Sequence, residues 1–288
     1  MSGGPVARAR REDSLQASPR TLHDDAIMKL NGKRILVTGG TSGLGRAMAL
    51  RFAREGAHLA VTGRKTDALD AVRDALTALS GRPVVMVRAD HLDPADNARA
   101  VDEAATGLGG LDSLVNNAGV IGFDGAIDSK PHEFRRMMET NLFGPYELTR
   151  HAVPHLVASA ASGRDASILN VSSVASLRPY PGLLGYCTSK AALDMLTQST
   201  AIELAPRKVR VNALNPGVVV TQLHRNAGLD DAQYAAFLER SAQTHPLGRP
   251  GTADEVAALA TFLLGDEAGW ITGGLHSIDG GRALTSLR

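Results

Sequence analysis

The sequence predicts a doubly wound parallel α/β sheet: seven strands, helices on both faces, one domain. Three observations predict it. From residue 34 onward, short runs rich in Val, Ile and Leu alternate with helical patterns. The strand candidates are near-continuous apolar runs, as expected of strands buried on both faces. Right-handed crossovers then lay the intervening helices on both sides of the sheet.

Residues 34–38 (RILVT) form the first strand, which ends in a glycine-rich turn. A helix over 44–54 follows, with Leu44, Ala47, Met48 and Phe52 on one face and Glu55-Gly56 closing it. Residues 58–62 make the second strand and 68–79 the second helix. Residues 83–88 make the third strand, 95–106 a helix, and 111–116 the fourth strand. One long helix is expected over 131–156, with Pro154 near its end. Strand five is 166–171, followed by a helix over 186–205 and strand six over 209–214. Helices near 230–241 and 253–264 precede a last strand near 275–278.

Composition narrows the function classes. The 288 residues carry 31 Lys+Arg against 30 Asp+Glu, and basic runs are missing, so nucleic acid is not an expected partner. No apolar stretch approaches the ~20 residues that span a bilayer, so no membrane is expected either. Cys187 is the only cysteine, which fits a reducing, cytoplasmic setting, and the histidines lack metal-ligand spacing, so no metal is expected. Residues 1–28 lack an apolar period and read as a disordered extension, with 29–288 as the domain. Arg8, Arg10, Arg11 and Arg20 suggest a transit peptide, but Glu12, Asp13, Asp24 and Asp25 offset them. Met28, which leads straight into the first strand, is an alternative start.

The chemistry-bearing motifs follow the strand ends. Thr38-Gly39-Gly40-Thr41-Ser42-Gly43-Leu44-Gly45 lies between the first strand and its helix. Glycines there permit a tight turn and close approach of backbone N–H groups to a diphosphate, which the helix N-terminus also attracts. Tyr186 and Lys190 stand four apart and share a helical face. A free phenol, with a pKa of ~10, exchanges protons poorly near neutrality. A lysine cation ~5 Å away at an effective dielectric of ~20 contributes about 3 kcal/mol, which would bring the phenol to about 7.5.

The spacing of Gly39, Gly43 and Gly45, with Asn116-Asn117-Ala118-Gly119 and Tyr186-x-x-x-Lys190, resembles the short-chain dehydrogenase/reductase family over nearly everything past residue 28. The resemblance implies a Rossmann-type fold that binds NADP(H) or NAD(H). The cofactor would contact Gly39, Thr41, Ser42, Gly43, Leu44 and Gly45, then Asn117, Ala118 and Gly119. Asp90 would contact the adenine, although it would serve equally as a helix or turn cap. Pro216, Gly217, Val219 and Thr221, after strand six, would meet the carboxamide. Tyr186 is the implied acid/base. Lys190 would depress its pKa and hold the nicotinamide ribose, and Ser173 would polarise the carbonyl. Asn141 would interrupt the long helix and hold a water in a proton relay through Lys190. His91 departs from the family, where a small apolar residue is usual.

Gly63 stands at the end of the second strand, where an acid would bind both ribose hydroxyls, and Arg64 and Lys65 follow it. A guanidinium there favours the 2′-phosphate of NADP(H). Residues 222–250 are expected to form a lid, and 174–184 the opposite wall, around a small or medium carbonyl or secondary alcohol. Ile278-Asp279-Gly280-Gly281 is similar to the tail of β-ketoacyl carrier-protein reductases, which implies a homotetramer. Two other readings stay open: an NAD-dependent alcohol dehydrogenase working oxidatively, and a catalytically silent dinucleotide sensor, against which the intact quartet argues.

Overall fold

The computed structural model describes residue 1, residues 28–128 and residues 130–285. Residues 2–27 of the expected N-terminal extension therefore lie outside the described residues. The chain runs β1 (Arg34–Val37), α1 (Gly43–Arg54), β2 (His58–Gly63), α2 (Thr66–Ser80), β3 (Val85–Arg88), α3 (Pro94–Leu108) and β4 (Ser113–Asn116). It continues with α4 (Pro131–Met138), α5 (Gly144–Ala161), β5 (Ala166–Val171), α6 (Val174–Leu177), α7 (Leu184–Leu204) and β6 (Val209–Pro216). The last elements are α8 (Leu223–Asn226), α9 (Asp231–Thr244), α10 (Ala253–Leu264) and β7 (Leu275–Ile278).

All seven strands pair in parallel, in the order β3-β2-β1-β4-β5-β6-β7. Strand order reverses between β1 and β4, so the crevice beyond their C-terminal ends is where such a sheet binds ligands. Alternation along each strand builds two cores. Ile35 and Val37 pack with Met48 and Phe52 of α1, Val72 of α2 and Val256 and Leu263 of α10. Leu36 points the other way, to Val101 of α3, Leu148 and Leu156 of α5 and Leu204 of α7. Burial on both faces explains why these strands lack a polar alternation in sequence.

One expected helix differs. The pattern over 131–156 is not continuous: a π-helical turn, Glu139–Phe143, separates α4 from α5. α5 then runs through Pro154 to Ala161, beyond the expected end. The extra residue of a π turn re-aims the side chains after it. The buried Asn141 stands within this turn. The short helices α6 and α8 carry no period long enough to be read from sequence.

Candidate active site

A cleft of about 750 Å³ opens at the C-terminal ends of β1, β4, β5 and β6. Its floor begins at Thr38. That hydroxyl donates to Val115 O (3.2 Å) and accepts from the N–H groups of Asn117 (2.9 Å) and Ala118 (3.0 Å), tying β1 to the segment after β4. Gly39 (φ +62°) and Gly43 (φ +53°) adopt the left-handed conformation that the turn requires. α1 starts without a side-chain cap from Ser42 and without an acid in its first turn. Its N-terminal N–H groups are thus left to a ligand, and an anion fits there.

Gly39, Thr41, Ser42, Gly43 and Leu44 line the cleft, as do Asn117, Ala118 and Gly119. Gly45 does not: a Cβ there would run into Asn117 Nδ2 and the Gly39 carbonyl. Glycine there permits close packing of helix on loop. At the far end, a Cβ on Gly63 would fall 2.6 Å from Thr41 Cγ2, so the loop fills the space an acid would use. Arg64 follows, exposed on the cleft wall and without an ion pair among the described residues. Asp90 lines the cleft as well, and its carboxylate accepts from Leu92 N at 3.2 Å, the turn-capping bond weighed as its alternative.

At the opposite end Tyr186, Lys190 and Ser173 converge. The Asn116 amide donates to Asn170 Oδ1 (2.9 Å), and the Asn170 amide donates to Thr197 Oγ1 (2.8 Å), which braces α7 against β4 and β5. Tyr186 and Lys190 project from α7 and are 8% and 5% exposed. Ser173, the N-cap of α6, accepts from Ala175 N at 3.1 Å, and its hydroxyl lies near the Tyr186 phenol. The neighbouring Ser172 hydroxyl turns away and donates to Lys190 O. Lys190 Nζ donates to Val171 O at 2.8 Å and lies 5.9 Å from the Tyr186 ring centroid. A Cβ on Gly119 would fall 3.2 Å from Asn141 Oδ1, so glycine admits the close approach of that amide.

The electrostatics differ from the sequence expectation. Burial pushes the Tyr186 phenol up, with the Ser173 hydrogen bond opposing it only in part. Burial likewise brings Lys190 down to about 8, with Asp194 one turn further along α7 pulling it back up. The lysine's Coulomb effect, taken alone, pointed to a lowered phenol. It omitted the cost of holding a phenolate and an ammonium away from water.

Asn141 is held by three side-chain hydrogen bonds. Its Oδ1 accepts from Val120 N (2.8 Å), and its amide donates to Val120 O (2.9 Å) and Ser189 Oγ (3.0 Å). Both amide protons are committed, and the residue does not line the cleft. It joins the π turn, the segment after β4 and α7.

Pro216, Gly217, Val219 and Thr221 form the remaining wall. Tyr234 of α9 holds this loop, its hydroxyl donating to Thr221 O (2.9 Å) and accepting from Thr221 N (3.2 Å). Phe123, Leu183, Leu223 and Phe237 make the space beyond Tyr186 largely apolar, with Arg136, Arg240 and Arg282 at its margins. Thr62 also supports the site and was not foreseen, since its partners Gly39 and His91 are distant in sequence. The side chain of His224, in the segment expected to form a lid, lies outside the described residues.

An uncapped helix behind a glycine turn thus stands at one end of the cleft, and Ser173, Tyr186 and Lys190 stand at the other. Residues 39–283 match the family model described as Enoyl-(Acyl carrier protein) reductase. The chain is 38% identical over 253 residues to glucose 1-dehydrogenase of Gluconobacter oxydans, covering 88% of this chain and 92% of that protein. It is 34% identical over 259 residues to the 3-oxoacyl-[acyl-carrier-protein] reductase of Thermotoga maritima, covering 89% and 100%. A short-chain type dehydrogenase/reductase from Mycobacterium marinum superposes with a TM-score of 0.81 at 32% identity, over 90% of this chain and 98% of that one. The chain belongs to the short-chain dehydrogenase/reductase family. It is an NAD(P)-binding oxidoreductase acting on CH–OH groups.

Proposed function

We propose that the protein interconverts a small or medium ketone and its secondary alcohol with NADP(H), using Tyr186 as acid/base. The observation that carries this reading is the convergence of Ser173, Tyr186 and Lys190 on the cleft, with the Lys190 amine 5.9 Å from the Tyr186 ring centroid. The glycine loop and α1 N-terminus would hold the diphosphate, Asn117–Gly119 would flank the dinucleotide, and Pro216–Thr221 would hold its carboxamide end. When bound, the nicotinamide supplies or accepts the hydride. Tyr186 passes a proton to the substrate oxygen during reduction and removes it during oxidation. Ser173 orients that oxygen with a second hydroxyl. Lys190, at about 8, remains a cation at neutral pH and offsets charge on the phenol. Asn141 is a positioning residue for the loop after β4.

Arg64 supports NADP(H) over NAD(H), because no acid occupies the end of β2 and a guanidinium is free to meet a 2′-phosphate. The relatives named for glucose, cyclohexanol and a 3β-hydroxysteroid span polar and apolar alcohols. The mixed lining here favours the smaller ones. Tyr146, Met195 and Ile202 are exposed on α5 and α7, and Leu247, Trp270 and Leu284 are exposed in the C-terminal region. Two apolar faces of this kind support a homotetramer built on two-fold axes, and the single cysteine supports a cytoplasmic setting. The test is nicotinamide oxidation against ketones, β-ketoesters, diketones and quinones, with NADPH and NADH in parallel. Turnover that favours NADPH and disappears in Tyr186→Phe is expected. Turnover retained in that variant would overturn the acid/base assignment, and tighter NADH binding would overturn the cofactor preference.

A further inference from the structure

His91 takes no part in the chemistry proposed above, and its surroundings give it another task. It follows Asp90 after β3 and is buried between β2 and α3. Its Nδ1 lies 2.7 Å from Asn97 Oδ1, and its Nε2 lies 2.8 Å from Thr62 Oγ1. Asn97 Nδ2 donates to the His91 carbonyl at 3.3 Å, which orients the amide and leaves Oδ1 as an acceptor only. Nδ1 must therefore carry the ring proton, and Nε2 of the neutral ring must accept. The single hydroxyl proton of Thr62 goes to Nε2. The lone pairs of Thr62 are then left facing the Gly39 N–H, which donates to Oγ1 at 3.1 Å.

These bonds form one buried chain with a single direction: Gly39 N–H to Thr62, Thr62 O–H to His91, His91 N–H to Asn97. Each bond polarises the next, which strengthens a chain of this kind. The ring stays neutral because burial pulls its pKa down, although Asp90 and Asp96, the carboxylates that bear on it, pull the other way. The chain ends on Gly39, the left-handed residue where the backbone leaves β1 for the cradle. The Thr62 carbonyl also accepts from Gly40 N at 3.0 Å, so one residue of β2 grips two consecutive loop amides.

We propose that His91 is a positioning residue for the dinucleotide. Through Thr62 it fixes Gly39, so that the glycine loop and the α1 N-terminus meet the diphosphate already arranged. This rests on dinucleotide binding in the cleft. It explains why a polar ring stands where an apolar residue would otherwise fill the gap between β2 and α3. An apolar replacement would leave Thr62 without its acceptor.

The test compares dissociation constants for NADPH and NADH, by calorimetry, in wild type, Thr62→Val, His91→Leu and His91→Gln, with steady-state kinetics alongside. Thr62→Val and His91→Leu are each expected to weaken dinucleotide binding about tenfold. The double variant should be less than additive, since both break the same chain. His91→Gln, whose amide can still accept from Thr62, should recover most of the loss. KM for the dinucleotide should rise in step with the dissociation constant, and kcat should fall far less. Equal affinities for His91→Leu, His91→Gln and wild type would reduce His91 to packing and overturn the proposal. If Thr62→Val does not fold, the Leu and Gln pair still decides the matter. A wild-type protein that binds neither dinucleotide would remove the cofactor reading and this inference together. Unchanged binding in the variants would remove the inference alone.

Discussion

At the N-terminal rim of the sheet, Asp112 is buried and fully engaged. It accepts from Arg34 (N, Nε and Nη2), from Arg164 (Nε and Nη2) and from Ser159 Oγ, at 2.6–3.1 Å. Beside it Asp165 accepts from Arg210 Nε (2.9 Å) and Nη2 (2.8 Å) and pairs with Lys33. At the C-terminal rim, Lys190 is as deeply buried but makes no ion pair among the described residues. Asp194 keeps one carboxylate oxygen unpartnered and gives the other to the Asn215 amide at 2.8 Å. The pKa directions follow. Arginine and hydrogen-bond partners hold Asp112 and Asp165 below the usual carboxylate range despite burial, whereas burial wins at Tyr186 and Lys190. Charges satisfied within the chain hold the fold together, and charges left partly uncompensated are available to a ligand.

Breaking the first rim should cost stability and spare the chemistry. Asp112→Asn leaves two arginines facing a neutral amide and should destabilise by about 3 kcal/mol, read from the midpoint of urea unfolding. The pH dependence has a definite sign. Both carboxylates are depressed in the folded state, so their stabilisation is fully present above the unfolded value of about 4. It is lost as pH falls through the lower folded values. Wild type should therefore lose stability on acidification more steeply than Asp112→Asn.

Changes at the second rim should move binding and titration. Arg64→Ala should weaken NADPH roughly 10- to 100-fold while leaving NADH nearly unchanged, by direct binding. Asp194→Asn removes the carboxylate that supports the Lys190 cation, so Lys190 should titrate below about 8, and any pH–rate limb it sets should move to lower pH. The smallest effect belongs to Tyr180→Phe. The Tyr180 hydroxyl is buried without a partner among the described residues, and its deletion should leave stability within about 0.5 kcal/mol or raise it slightly. A loss above that would mean that this hydroxyl is bonded in solution.

Much of this contrast was legible in the sequence where it depends on local spacing. The run Ile35-Leu36-Val37 announces a strand buried on both faces, and Tyr186 and Lys190 announce a shared helical face. The glycines at 39 and 43 announce a left-handed turn, which the backbone adopts. What was hidden depends on partners far apart along the chain. Arg34 meets Asp112 across 78 positions, Arg164 meets it across 52, and Thr62 meets His91 across 29. The break at Glu139–Phe143 does not show in the helical pattern, which both flanking segments keep; only the resemblance that singles out Asn141 pointed to an interruption there. The direction of the Tyr186 shift was misjudged for a related reason. Residue spacing places the lysine near the phenol but does not reveal how thoroughly the fold removes water from both.

The most direct test of the contrast pairs one variant from each rim, with NADPH-dependent turnover and urea unfolding measured on both. Tyr186→Phe is expected to lose about 10³-fold in turnover with stability close to wild type. Asp112→Asn is expected to lose stability while its folded fraction turns over at the wild-type rate. A Tyr186→Phe enzyme that still turns over, or an Asp112→Asn enzyme whose folded form is inactive, would contradict the division between the two rims.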